Sequence, residues 1–208
     1  MKNFSNKYML LYALGLAAIV ALVLTVVSVS LKPLQTRNQQ AETKQMILKT
    51  IGIEATLEDA DKLYSERIEE AKTDAGLPYY NYDNGIIIPL NGNGLWGPIW
   101  GYIALDKELT VVGAVFDHKG ETPGLGGEIA TDNFAQRFIG KEWIDQPIVL
   151  KKNADKGNTH EVDAISGGTM TSNGVTEMLA KAFEEYSELF ESWENSQAIA
   201  ELTKEEQQ

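Results

Sequence analysis

Hydrophobic and polar positions divide the chain into regions of different periodicity. From Tyr8 to Leu31 no residue is charged and most are aliphatic; at ~1.5 Å rise per residue this run forms a helix about 36 Å long, enough to cross a bilayer with some tilt. A cleaved signal peptide has a shorter apolar core, whereas this run continues through Ser28, Val29, Ser30 and Leu31 straight into Lys32, so a retained single-span anchor is expected. Residues 32–52 are polar until Met46, Ile47, Leu48 and Ile51 gather at their end, and read as a stalk helix closed by Gly52. A second helix is predicted from Thr56, where Thr56 and Asp59 have capping-box spacing and Leu57, Ala60, Leu63, Tyr64 and Ile68 recur at helical intervals. Gly76 and Pro78 are expected to end it.

The period then shortens. Ten of the 18 glycines lie between Gly85 and Gly127, interleaved with β-type runs at Ile86 to Leu90, Ile99 to Leu105 and Thr110 to Phe116, which predict a sheet. After a mixed helical stretch around Phe134 to Phe138, two further strands are expected at Pro147 to Lys151 and Glu161 to Ile165. Finally Val175, Met178, Leu179, Ala182, Phe183, Tyr186, Phe190 and Trp193 share one helical stripe, the mark of an amphipathic helix packed on that sheet. The fold class is therefore α+β: an N-terminal segment 1–7, a transmembrane helix 8–31, a stalk 32–52, a globular domain 53–195 and a flexible acidic tail 196–208.

Charge sharpens this division. The chain has 18 Lys and Arg against 30 Asp and Glu; Lys2 and Lys7 precede the apolar run and every acid follows it, leaving 16 bases against 30 acids, a net of −14, beyond the span. So acidic a domain argues against nucleic acid, whose phosphates demand clustered Lys and Arg. Lys2 and Lys7 favour a cytoplasmic N-terminus, although Lys32 and Arg37 narrow the margin. Absence of cysteine excludes disulfides, thiol nucleophiles and thiolate-held metal or iron–sulfur centres in this chain. Any redox chemistry must then be carried by an organic cofactor. His118 and His160 have no metal-like partners in the sequence, and no metal site is expected.

Three segments are richer in small and special residues than a core requires. In Gly94-Leu95-Trp96-Gly97-Pro98-Ile99-Trp100-Gly101, two tryptophans either fill the core after a turn or offer a flat ring to another flat ring. The loop Gly120-Glu121-Thr122-Pro123-Gly124-Leu125-Gly126-Gly127-Glu128 lacks a small residue where a dinucleotide fingerprint needs its third, at Ile129, and stands six residues beyond the preceding strand, so a Rossmann reading is rejected. It remains either a surface turn or a loop whose amides approach a ligand closely. The third segment, Asp163-Ala164-Ile165-Ser166-Gly167-Gly168-Thr169-Met170-Thr171-Ser172-Asn173-Gly174, runs from a strand end into the last helix. It is either a phosphate seat at a helix N-terminus or simple N-capping by Thr171, Ser172 or Asn173.

Asp163-Ala164-Ile165-Ser166-Gly167-Gly168-Thr169 resembles the flavinylation motif Asp-x-x-Ser/Thr-Gly-Ala-Thr/Ser of FMN-binding domains, in which a flavin transferase joins FMN through its phosphate to the last hydroxyl residue. The continuation Met170 to Val175, the loop Gly120 to Glu128 and the juxtamembrane Leu31-Lys32-Pro33-Leu34-Gln35 are similar to the C subunits of the Na⁺-translocating NADH:quinone reductases, over essentially the whole chain. Gly168 stands where that family usually has Ala. The resemblance implies covalent FMN on Thr169 and makes residues 53–195 an FMN-binding domain. It places Ser166 and the Gly167 and Gly168 amides at the phosphate, Glu121, Thr122 and Leu125 near the ring or ribityl chain, and Asp163 as a recognition or shape residue. No catalytic residue beyond the flavin is implied.

The same resemblance implies an electron carrier in a bacterial inner membrane, its soluble domain periplasmic. It would work with five other subunits, six in all, in an assembly that couples quinone reduction by NADH to Na⁺ export. Two alternatives stand beside it: the G subunit of the related ferredoxin:NAD⁺ reductases, which shares topology and flavin threonine, and a membrane-tethered binding module with no redox role.

Overall fold

A computed structural model describes residues 6–193 and 195; of the N-terminal segment 1–7 only Asn6 and Lys7 are among them, and the tail 196–208 lies outside. Two compact units are present, residues 1–42 and 43–208. The first consists of helix α1, which runs from Asn6 to Thr50 and so continues into the second unit. It is long and apolar enough to cross a membrane. Two hydroxyls in its apolar run are paired within the helix: Thr25 Oγ1 donates to the Ala21 carbonyl at 2.7 Å and Ser30 Oγ to the Val26 carbonyl at 2.7 Å. An apolar solvent requires such internal pairing.

In the second unit, residues 43–50, expected from their sequence to end a stalk, bury Ile47 and Leu48 completely. Helix α2 is shorter than the periodicity predicts. It spans Ala60–Arg67, and Ile68 is already extended, at φ −124° and ψ 129°. The capping pair does form, with the Asp59 N–H 3.3 Å from Thr56 Oγ1. Beyond it, Glu69–Lys72 (β1) and Pro78–Tyr82 (β2) form an antiparallel hairpin that the pattern did not predict. Here tertiary pairing overrides propensity: Glu-Glu-Ala-Lys favours helix, but a helix continued to Gly76 would leave the edge of the next strand uncovered.

The predicted sheet is present. Strands β3 (Gly85–Asn93), β4 (Pro98–Asp106) and β5 (Val111–His118) extend the hairpin into a five-stranded antiparallel meander in sequential order. Strands β6 (Val149–Lys151) and β7 (Glu161–Asp163) also form where expected, but as a separate parallel pair. Between the sheets lie a short helix α3 (Asp132–Ala135) and a 3-10 turn, Gln136–Phe138. Helix α4 spans Thr169–Glu185, and residues 187–193 are again helical after Tyr186.

Alternation along β3 and β4 divides the core by sheet face. Ile86, Ile88, Leu90, Ile99, Ile103 and Leu105 meet Phe134, Phe138 and Trp143 and the α4 stripe on one face. Ile87 and Ala104 meet Ile47, Leu48, Tyr64 and Ile68 on the other.

Several buried phenols give the domain an alkaline limit. Burial pushes the Tyr82, Tyr102 and Tyr186 hydroxyls up to about 12 from the ordinary 10.0; Tyr64 is raised further by burial and by its 2.8 Å bond to the Glu70 carboxylate. The folded state thus keeps protons that an unfolded chain releases near its ordinary tyrosine pKa of about 10. Their contribution is fully present below pH ~10 and is lost as pH rises through 10 to 12. Denaturant midpoints measured against pH are expected to fall across that window; a flat profile there contradicts the assignment.

Candidate functional site

The three segments singled out in the sequence converge at one end of the sheet. The β3–β4 hairpin turns through Gly94, whose N–H donates to the Gly97 carbonyl at 2.8 Å. That turn leaves Trp96 at its tip, 69% exposed, while Trp100 lies half-buried on β4. After β5 the chain enters the 119–125 loop, where the Thr122 carbonyl accepts from Leu125 N–H and Gly127 N–H at 3.1 and 3.0 Å. The third segment leaves β7, closes a turn between the Ile165 carbonyl and Gly168 N–H at 3.1 Å, and starts α4 at Thr169. Gly167 occupies that turn at φ +76°, a conformation other residues rarely adopt, and a Cβ there would lie 2.8 Å from Leu125 Cδ2.

One carboxylate ties the segments together. Glu121 is 4% exposed. Its Oε1 accepts the Trp96 N–H at 2.8 Å and its Oε2 accepts the Thr171 hydroxyl at 2.5 Å, while its own N–H donates to His118 Nδ1 at 3.2 Å. His118, for which the sequence offered no metal-like partner, ends β5 and holds the backbone of Glu121. Close approach requires glycine on either side: a Cβ on Gly94 would lie 2.5 Å from Glu121 Oε1, and one on Gly126 would overlap Oε2 and Thr171 Oγ1. Gly174 does the same for the helix, since a Cβ there would collide with the Asn93 carbonyl at the end of β3.

Together these residues frame an open cleft of about 330 Å³ lined by the 95–96 turn, the 121–126 loop and Gly167 to Thr171. Around it Leu95, Trp96, Leu125 and Met170 are 51%, 69%, 44% and 59% exposed, an apolar rim of the kind that marks a binding surface. The lining includes no Lys or Arg. An anion there must be held by backbone N–H groups, and the first turn of α4, at Thr169, Met170 and Thr171, supplies N–H groups without intrahelical acceptors, aided by the helix dipole.

Hydroxyls in this segment divide sharply. Thr171 and Ser172 are each 2% exposed; Thr171 is committed to Glu121, and Ser172 Oγ accepts the Ile165 N–H at 3.0 Å. Neither caps α4, whose N-cap is Gly168 without a side-chain bond, so the capping alternative through Thr171, Ser172 or Asn173 does not hold. Thr169 is exposed and lines the cleft. The two hydroxyls diverge because residues two apart on a helix face away from one another.

Of the residues expected at the site, Glu121, Thr122, Leu125, Gly167, Gly168 and Thr169 line the cleft, whereas Ser166 and Asp163 do not. The Gly168 N–H is taken by the Ile165 carbonyl, so this glycine contributes space rather than an amide; a Cβ there would lie 2.9 Å from Ile165 Cγ2. Asp163 is engaged beside β7 instead. Its Oδ1 accepts the Ala154 N–H at 2.9 Å, and its carbonyl accepts from Arg137, held over the Phe134 ring, at 3.0 Å. Leu95 and Met170, exposed, and Thr171, buried, also line the cleft; a single apolar or hydroxyl side chain carries no sequence signal of such a position.

Comparison with known proteins covers the same region. Residues 94–184, from the first loop of the cleft to the end of α4, match the family model of the FMN-binding domain. A crystal structure of the C subunit of Na(+)-translocating NADH-quinone reductase from Parabacteroides distasonis aligns with 76% of this chain and 95% of its own length, at 34% identity and a TM-score of 0.68. Shewanella oneidensis NqrC shares the fold, with a TM-score of 0.62 at 19% identity over 74% of this chain and 97% of that one. The C subunit of Na(+)-translocating NADH-quinone reductase from Vibrio parahaemolyticus is 29% identical over 83% of this chain and 88% of the relative.

Proposed function

Because this chain belongs to the family of C subunits of the Na⁺-translocating NADH-quinone reductases, membrane-anchored and FMN-carrying, we propose that its electrons pass through an FMN joined as a phosphoester to Thr169. The observation that carries this reading is the division of hydroxyls: Thr169 stands at a helix N-terminus inside the cleft and exposed, while Thr171 and Ser172 are buried and engaged. The cleft also fits the group. Its apolar rim of Leu95, Trp96, Leu125 and Met170 suits a flat ring, and the N–H groups of the first turn of α4 suit a phosphate in a cleft whose lining has no cation.

When bound, FMN supplies the redox chemistry; the chain's own residues bind, orient and retain it. In this reading Thr169 Oγ would carry the ester bond to phosphorus, its proton passing to a base of the transferase as the leaving group of an activated FMN anhydride departs. Such an ester uses no cysteine and leaves the isoalloxazine unmodified, consistent with a carrier that must not shed its cofactor. In this reading α1 spans a bacterial inner membrane, the domain faces the periplasm, a flavin transferase matures it there, and five other subunits supply NADH oxidation, the quinone site and the Na⁺ path.

Membranes from a strain lacking the gene test this function. Na⁺-stimulated quinone reduction by NADH is expected to be absent and to return when the full chain is supplied together with an active transferase. Undiminished Na⁺-stimulated activity without the chain contradicts the reading.

A further inference from the structure

Among the described residues Glu121 is the single acidic or basic one lining the cleft, and it is nearly inaccessible to water. Both its oxygens accept hydrogen bonds, from the Trp96 N–H and the Thr171 hydroxyl, the pattern of a carboxylate rather than of a carboxylic acid. His118 meets Glu121 through the backbone, its Nδ1 accepting the Glu121 N–H at 3.2 Å. Glycines at 94 and 126 keep the carboxylate unshielded by side chains on both sides. A fixed negative charge in a poorly solvated wall opposes the addition of electrons to any ring seated there.

We infer that the buried Glu121 carboxylate sets the reduction potential of the ring held in this cleft, lowering it by its charge, and that Thr171 and the Trp96 amide position that charge. This rests on the flavin being held at Thr169, as proposed above. Glu121→Gln keeps size and hydrogen-bonding capacity while removing the charge. Thr171→Val removes the hydroxyl and keeps the charge.

Full-length protein, flavinylated by co-expression with a transferase and purified in detergent, provides the material for redox titration followed by visible absorption. Glu121→Gln is expected to raise the equilibrium constant for one-electron reduction at least tenfold, a positive midpoint shift of ~59 mV, whereas Thr171→Val produces no positive shift. A loaded Glu121→Gln protein with the wild-type midpoint overturns the inference, as does an equal positive shift in Thr171→Val. Reduced-minus-oxidised infrared spectra of wild-type protein with and without ¹³C-glutamate keep the test decisive if Glu121→Gln does not fold. An isotope-sensitive carboxylate band supports the inference, and its absence overturns it. Wild-type protein that carries no flavin overturns the attachment at Thr169 instead, which separates the two failures.

Discussion

Thr169→Ala is expected to abolish covalent flavin: after co-expression with a flavin transferase, the wild-type band fluoresces on a denaturing gel and the variant band is dark. No other hydroxyl in the segment can substitute for Thr169. Thr171 is 2% exposed and its hydroxyl is given to Glu121, so it cannot be presented to a transferase without breaking the carboxylate that joins the three loops. Ser172 is equally buried and holds the Ile165 N–H. Ser166 is exposed but sits in the turn that precedes α4 and outside the cleft. Alanine is a strong helix former at an exposed first-turn position, and stability is expected to change by no more than about 0.5 kcal/mol. A dark band is then a chemical result rather than a folding failure. Thr169→Ser, which keeps an oxygen in the same place, is expected to recover fluorescence. Fluorescence surviving in Thr169→Ala would move the attachment elsewhere.

Trp143→Ala is expected to be among the most destabilising single substitutions. Trp143 is completely buried, with its ring 5.6 Å from Phe190 and 6.4 Å from Phe183. Deleting such a ring removes its burial and leaves a cavity, at a cost of about 3–5 kcal/mol. Set against a domain stability of roughly 5–15 kcal/mol, that removes half or more of the stability of a domain near the lower end of the range. The effect reaches function through packing: Phe183 is on α4, so the residues that Trp143 anchors hold the helix whose first turn carries Thr169. The indole Nε1 has no hydrogen-bond partner among the described residues, so Trp143→Phe forfeits volume but no hydrogen bond and is expected to cost distinctly less than Trp143→Ala. Denaturant unfolding of flavinylated protein checks both, and a loss below about 1 kcal/mol in Trp143→Ala contradicts this packing account.

Where apolar spacing was regular, the fold was legible in the sequence. The uncharged run from Tyr8 appears as a continuous helix, and the β runs of β3 to β5 and the stripe from Val175 to Trp193 appear as elements with their apolar faces turned to the core. The missed hairpin of β1 and β2 was illegible for a physical reason: Glu69 to Lys72 are mostly exposed and lie at a sheet edge, so pairing with Pro78–Tyr82 rather than composition defines the strand. Similarly, Ile47 and Leu48 looked like the end of a stalk because the residues they pack on, such as Ile87 and Ala104, are distant in sequence.

The site was legible as segments but not as a network. Glycine enrichment and the motif ending at Thr169 drew attention to the correct loops. That Glu121 would join Trp96 to Thr171 across intervals of 25 and 50 residues could not be read from spacing. Nor could the difference between Thr169 and Thr171, which depends on which side of α4 faces the sheet.

Peptide mass spectrometry of the wild-type chain matured with an active transferase reads the flavin on Thr169 directly. A peptide spanning residues 163–174 is expected to be heavier by one FMN less one water, with fragmentation placing the added mass on Thr169. An unmodified peptide from protein matured in this way, or the same mass on Ser166, Thr171 or Ser172, would contradict it.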